Sequence, residues 1–100
     1  MGFQRIMALH VHDEAEYQAY RDAMLPILHF YGGDFAYDFT VSKVLKSKTN
    51  SQINRVFTID FPSEAVMDAF FNDEAYLSVK QRHFDASVTS ATVIGLHETE

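Results

Sequence analysis

Residues 60–76 read DFPSEAVMDAFFNDEAY, and the fold turns on how this stretch is parsed. Pro62 has no backbone N–H to offer a neighbouring strand, so pairing stops there. Ser63 follows at once as a helix N-cap, with Val66, Ala69 and Phe70 recurring behind it at helical spacing. Asn72 and Asp73 break that helix, and Asp73 caps a second piece running DEAYLSVKQRHFDAS, residues 73–87. The stretch therefore reads as a strand handing over to a helix in two pieces. Its two caps and its aromatic residues serve structure rather than chemistry.

Working outward, INRVFTIDF (53–61) is a strand with Phe57, Ile59 and Phe61 on one face and Val56, Thr58 and Asp60 on the other. VTSATVIGLHE (88–98) is the last strand. At the N-terminus, FQRIMALHVH (3–12) alternates, with Met7, Leu9 and Val11 opposite Ile6, Ala8, His10 and His12. Asp13 and Glu16 then form a capping box. The helix behind it carries Tyr17, Tyr20, Met24, Ile27, Leu28 and Tyr31 within an arc of about 100°, the width of a core-facing stripe. Pro26 falls on the outer side, where it removes one backbone bond and bends the helix. Gly32 and Gly33 end it. FAYDFTVSKVL (35–45) alternates again and places Phe35, Tyr37, Phe39 and Val41 on one face. KSKTNSQ (46–52) is a hairpin-type connection.

The order βαββαβ predicts an α+β, ferredoxin-like domain spanning residues 1–100: a four-stranded antiparallel sheet, helices on one face, the second helix broken in two. A chain of 100 residues has no room for a second core. The other face of the sheet is then bare, yet the third strand is apolar on both sides. A second copy packed sheet to sheet covers it, so a homodimer is expected.

Charge and composition remove several classes of function. A net charge of −6 disfavours a nucleic-acid backbone as partner. There is no cysteine, hence no disulfide or thiolate metal site. No apolar run approaches the roughly 18 residues of a membrane span, and the N-terminus turns acidic too soon for a signal peptide. A soluble, cytoplasmic protein without membrane or nucleic-acid partners is expected.

The helix ending in YGG (31–33), the strand-to-helix turn IDFPSEAVMDAFF (59–71), the restart DEAY (73–76) and the strand TVIG (92–95) resemble the dimeric α+β barrel superfamily. Within it they are similar to the small family called domain of unknown function 1330. The resemblance spans nearly the whole chain. It implies a homodimer of two ferredoxin-like halves with a pocket between helices and sheet. Relatives in the superfamily include cofactor-free monooxygenases, haem-degrading enzymes and lactone isomerases, and a fold does not choose among them. Members of the smaller family commonly carry an Arg seven residues after the Tyr of the helix restart. Here that position is His83, with Arg82 just before it.

No nucleophile triad, phosphate-binding glycine loop or zinc motif occurs. His10 and His12 share a strand face at a chelating spacing, but no third ligand accompanies them, and His97 belongs at the opposite end of the neighbouring strand. His29 lies on the outer face of the first helix. Asp38 and Asp60, near strand ends that meet, are candidates for a carboxylate pair, although nothing in their spacing requires it. His83 falls on the inward stripe near Tyr76 and Val79, facing the tyrosines of the first helix. A core histidine bonded to a tyrosine explains it, as does a site group able to act as base or ligand; a haem-binding variant of the second reading makes it the axial ligand. The expected function is binding of an apolar organic molecule, without metal or cofactor, in a pocket lined by His83, Tyr76, Tyr17, Tyr20 and Phe57. The alternatives are a cofactor-independent monooxygenase or isomerase on a small organic substrate, and a non-catalytic dimeric interaction module.

Overall fold

The computed structural model describes residues 2–100. The chain runs β1 (Gly2–Val11), α1 (Glu14–Phe30), β2 (Asp34–Thr40), β3 (Arg55–Phe61), α2 (Glu64–Phe71) and α3 (Glu74–Val79). A π-helical turn (Lys80–Phe84), α4 (Asp85–Ser87) and β4 (Val88–Thr99) complete it. All pairings are antiparallel, in the order β2-β3-β1-β4. This is the ferredoxin-like α+β arrangement, with the second helix broken at Asn72–Asp73. No helix among the described residues is long and apolar enough to cross a membrane.

Side-chain caps start the helices. Asp13 Oδ1 accepts the Glu16 N–H at 3.1 Å, and Ser63 Oγ accepts that of Val66 at 3.2 Å. Asp73 Oδ1 takes the N–H groups of Ala75 and Tyr76 at 2.8 and 3.2 Å, while its other oxygen receives the Tyr31 hydroxyl at 2.6 Å. One carboxylate thus restarts the broken helix and ties it to the end of α1. Gly32 closes α1 at φ +79°, in the left-handed region, and a Cβ there would also meet Pro62 Cγ at 3.1 Å.

Phe3, Met7, Leu9 and Val11 of β1 and Phe57, Ile59 and Phe61 of β3 form the inward face of the sheet. Against them pack Tyr17, Tyr20, Met24 and Leu28 of α1 with Met67, Phe70 and Tyr76 of the broken helix.

Three features depart from simple periodicity. β2 ends at Thr40, not near Leu45, with one further backbone bond from the Val41 N–H to the Asn54 carbonyl at 3.0 Å. The Asn54 side chain, just before β3, clamps the end of β1: its Oδ1 accepts the Val11 N–H and its Nδ2 donates to the Val11 carbonyl, both at 2.8 Å. Second, a bulge at Ala36 inverts the rest of β2. Phe35, opposite Ile59, faces the helices, whereas Tyr37 and Phe39, opposite Thr58 and Val56, face away, and Asp38 turns inward opposite Phe57. Of the stripe expected on β2, Phe35 stays inward, Tyr37 and Phe39 face outward, and Val41 lies beyond the end of the strand. Third, the π-helical turn replaces a continuous helix over residues 80–84, inserting one extra residue into the turn.

Among the described residues, no element covers the outer sheet face. Ile6 and Val56 are half-buried there, Tyr37 and Phe39 are 62% and 56% exposed, and their rings stack at 6.2 Å.

Candidate functional site

Between the inward sheet face and the helices lies a cavity of about 210 Å³. Alternate positions of β1 bring Arg5, Met7 and Leu9 to it, and those of β3 bring Phe57 and Ile59. Tyr20 enters from the buried stripe of α1. The helix break lets Phe71, at the end of α2, and Tyr76, in the first turn of α3, face the same space, their rings 5.4 Å apart. Lys80 and Phe84 of the π turn and Ala91 of β4 complete the lining. Ala91 is exposed and marks the mouth. Val93 and Leu96, opposite Met7 and Arg5, remain 44% and 47% exposed, so the helices leave the β4 side of this face open.

The polar groups in this apolar space are few and specific. The Tyr20 and Tyr76 hydroxyls lie 2.8 Å apart, one donating to the other. Burial pushes the Tyr20 hydroxyl well above its ordinary range, with the neighbouring Tyr76 adding to it. Burial raises Tyr76 as well. Both rings therefore stay protonated and act as hydrogen-bond donors. Arg5 lies with its guanidinium carbon 4.4 Å from the centre of the Phe71 ring. Its Nε donates to Met7 Sδ at 3.3 Å, a weak acceptor. Burial pulls the Arg5 guanidinium below its usual range, and Tyr76, Tyr20 and Asp68 oppose that shift. Lys80, at the edge, is paired with Asp85 at 3.1 Å. Among the described residues, no carboxylate and no imidazole lines the cavity.

Of the residues singled out in the sequence, Tyr20, Tyr76 and Phe57 meet around this cavity. Tyr17 stands behind it, stacked on Tyr20 at 5.7 Å, with its hydroxyl accepting from Arg21 Nε at 2.8 Å. His83 lies outside the lining. Within the π turn its Nδ1 lies 3.2 Å from Glu16 Oε2 on α1, with the side chain 21% exposed. Arg82 is exposed. His10 faces outward opposite Ser90, His12 lies past the end of β1 and His97 is opposite Gln4. No group of three or more potential metal ligands converges among the described residues. The β2 bulge also separates the two carboxylates considered as a pair. Asp38 turns inward between Arg21 and Arg55, and Asp60 accepts from Gln4 Nε2 at 2.8 Å.

Sequence reasoning missed Arg5, Phe71, Phe84 and Lys80. For Arg5 a signal was present: it is the one charged residue in the inward series Phe3, Arg5, Met7, Leu9, Val11.

Residues 5–96 match the family described as domain of unknown function 1330. The chain belongs to that family. No match emerged among curated proteins. Among solved structures, it is similar to a protein of unknown function from Rhodopseudomonas palustris, with a TM-score of 0.79 at 16% identity, covering 99% of this chain and 82% of that one. It is also similar to a dabb family protein with a ferredoxin-like fold from Mesorhizobium loti (TM-score 0.65, 12% identity, coverage 100% and 99%). A third is SnoaB, a cofactor-independent oxygenase from Streptomyces nogalater (TM-score 0.60, 12% identity, coverage 99% and 91%). At these identities the likeness concerns the fold alone.

Proposed function

We propose that the protein binds a small organic molecule, largely apolar, in the cavity between helices and sheet, and that it does so as a homodimer. The observation that carries this reading is the cavity itself: about 210 Å³ of space walled by aromatic and aliphatic side chains, with a few polar groups among them. A space of that size inside a small core is normally filled, because each lost contact lowers stability. The dimer rests on the uncovered outer sheet face, where Ile6, Val56, Tyr37 and Phe39 present uncharged surface suited to a two-fold copy of itself.

A thermal-shift screen with a library of small aromatic and aliphatic compounds tests the binding reading. A ligand at 100 times its Kd stabilises the folded state by roughly 2.7 kcal/mol. Ala91→Trp, which fills the mouth from a strand position where an aromatic residue is well accommodated, is expected to keep the fold and lose the shifts. Shifts that survive this plug, or no shift with any compound class, would contradict the cavity as the site.

The likeness to SnoaB brings a second reading, oxygenation or isomerisation of a small substrate without a cofactor. Arg5 beside the tyrosine pair is suited to hold an enolate oxygen. Forming that enolate requires a proton acceptor, however, and the lining offers cations and protonated phenols instead. The geometry therefore favours binding over proton abstraction. Oxygen consumption above background with a bound compound would reverse that order.

A further inference from the structure

Resting on the cavity as a binding site, we infer that its ligand is a monocarboxylic acid with a single ring or a hydrocarbon body of similar size, its carboxylate held by Arg5. Three arginines pack near the inward sheet face, and they differ in one respect. Arg21 and Arg55 share Asp38, each through two hydrogen bonds of 2.8 to 3.2 Å. Arg5 has no such partner. Among the described residues its two terminal nitrogens make no hydrogen bond and no ion pair, and Asp68, the carboxylate that its charge senses, lies beyond pairing distance. A partly desolvated guanidinium cannot shed its charge, and leaving it unpaired is unfavourable. A planar carboxylate matches its fork.

The rest of the cavity fits the same ligand. Lys80 is already neutralised by Asp85, so one anionic group, not two, is called for. In the Tyr20–Tyr76 pair one hydroxyl donates to the other, which leaves one O–H free to donate to a ligand oxygen. Phe71, Phe84, Met7 and Ile59 supply an apolar sleeve beside the guanidinium. A cavity of roughly 150 Å³ accepts benzene, so about 210 Å³ takes one ring with a short acidic arm. The charge of the site runs against that of the molecule: a protein of net charge −6 keeps a cation without a carboxylate partner in the wall of this apolar cavity.

Calorimetric titration with 3-phenylpropionate and its neutral isostere 3-phenylpropionamide tests this on wild type, Arg5→Met, Arg5→Lys and Ala91→Trp. A hydrogen-bonded charge pair changes affinity by roughly ten- to a hundredfold. The wild type is therefore expected to prefer the acid by that factor. Arg5→Met abolishes the preference by weakening the acid alone, Arg5→Lys keeps part of it, and Ala91→Trp binds neither compound. The acid–amide comparison in the wild type needs no variant to fold. Equal affinity for acid and amide, or a library yielding only neutral ligands, would overturn the carboxylate while leaving the cavity reading intact. If neither compound binds and the library gives no ligand, both readings fall together.

Discussion

Asp38 lies between two guanidinium groups, four hydrogen bonds joining it to Arg21 and Arg55. Burial works to raise its carboxyl, but the bonds to Arg55 and the charge of Arg21 outweigh it and hold it below the usual carboxylate range. A depressed folded-state value means that the ionised form stabilises the fold. That stabilisation is complete above the unfolded carboxylate range, about pH 4, and fades as pH falls through the lower folded-state value. Asp38→Asn should therefore lower stability at neutral pH by about 1 kcal/mol, a modest figure because solvent reaches the pair. The difference from wild type should shrink in denaturant titrations as pH drops below 4. An undiminished gap at low pH would show that the carboxylate charge is not what matters. None of this was legible in the sequence, where Asp38 alternates with Tyr37 and Phe39 and by period two shares a face with neither arginine. Arg5 was half legible. Its place on the inward face follows from period two, whereas its lack of a counter-ion depends on where Asp68 and Asp85 come to rest.

At the scale of elements, capping and turn residues spoke clearly, since each acts within a few positions of itself. Asp13, Ser63 and Asp73 start α1, α2 and α3 as their side chains dictate. Ser63→Ala should destabilise the protein by about 1 kcal/mol, the usual value of an N-cap bond, seen as a lower urea midpoint with unchanged slope. No change would mean that the Pro62 turn alone positions α2. Single-residue insertions were not legible. The bulge at Ala36 and the π turn at Lys80–Phe84 each add one residue to a regular repeat, and each redirects everything after it. Tyr37 and Phe39 leave the core for the outer face in this way, and His83 comes to rest beside Glu16 instead of in the cavity. Such insertions are settled by tertiary packing, which composition and periodicity do not contain.

For the whole molecule, the two faces of one sheet divide the work: the inner face encloses the cavity, and the outer face is proposed for the second copy. Light scattering should give twice the chain mass. Phe39→Lys, which places a charge on the outer face without touching the core, should give a folded monomer. A wild-type monomer at micromolar concentration would leave the outer face without an occupant. The division itself followed from the order βαββαβ and the apolar third strand. The contents of the cavity did not, because they assemble from seven elements and across a helix break whose geometry no repeat encodes. The central claim, that this cavity is the binding site and Arg5 its anchor, is tested most directly by a crystal structure of the protein grown with 3-phenylpropionate. The account predicts the ring between Phe71 and Phe84 and the carboxylate on the terminal nitrogens of Arg5, at the roughly 2.7–2.9 Å of a charge-assisted bond. A ligand seated elsewhere, or a cavity closed by its own side chains at saturating ligand, would contradict it.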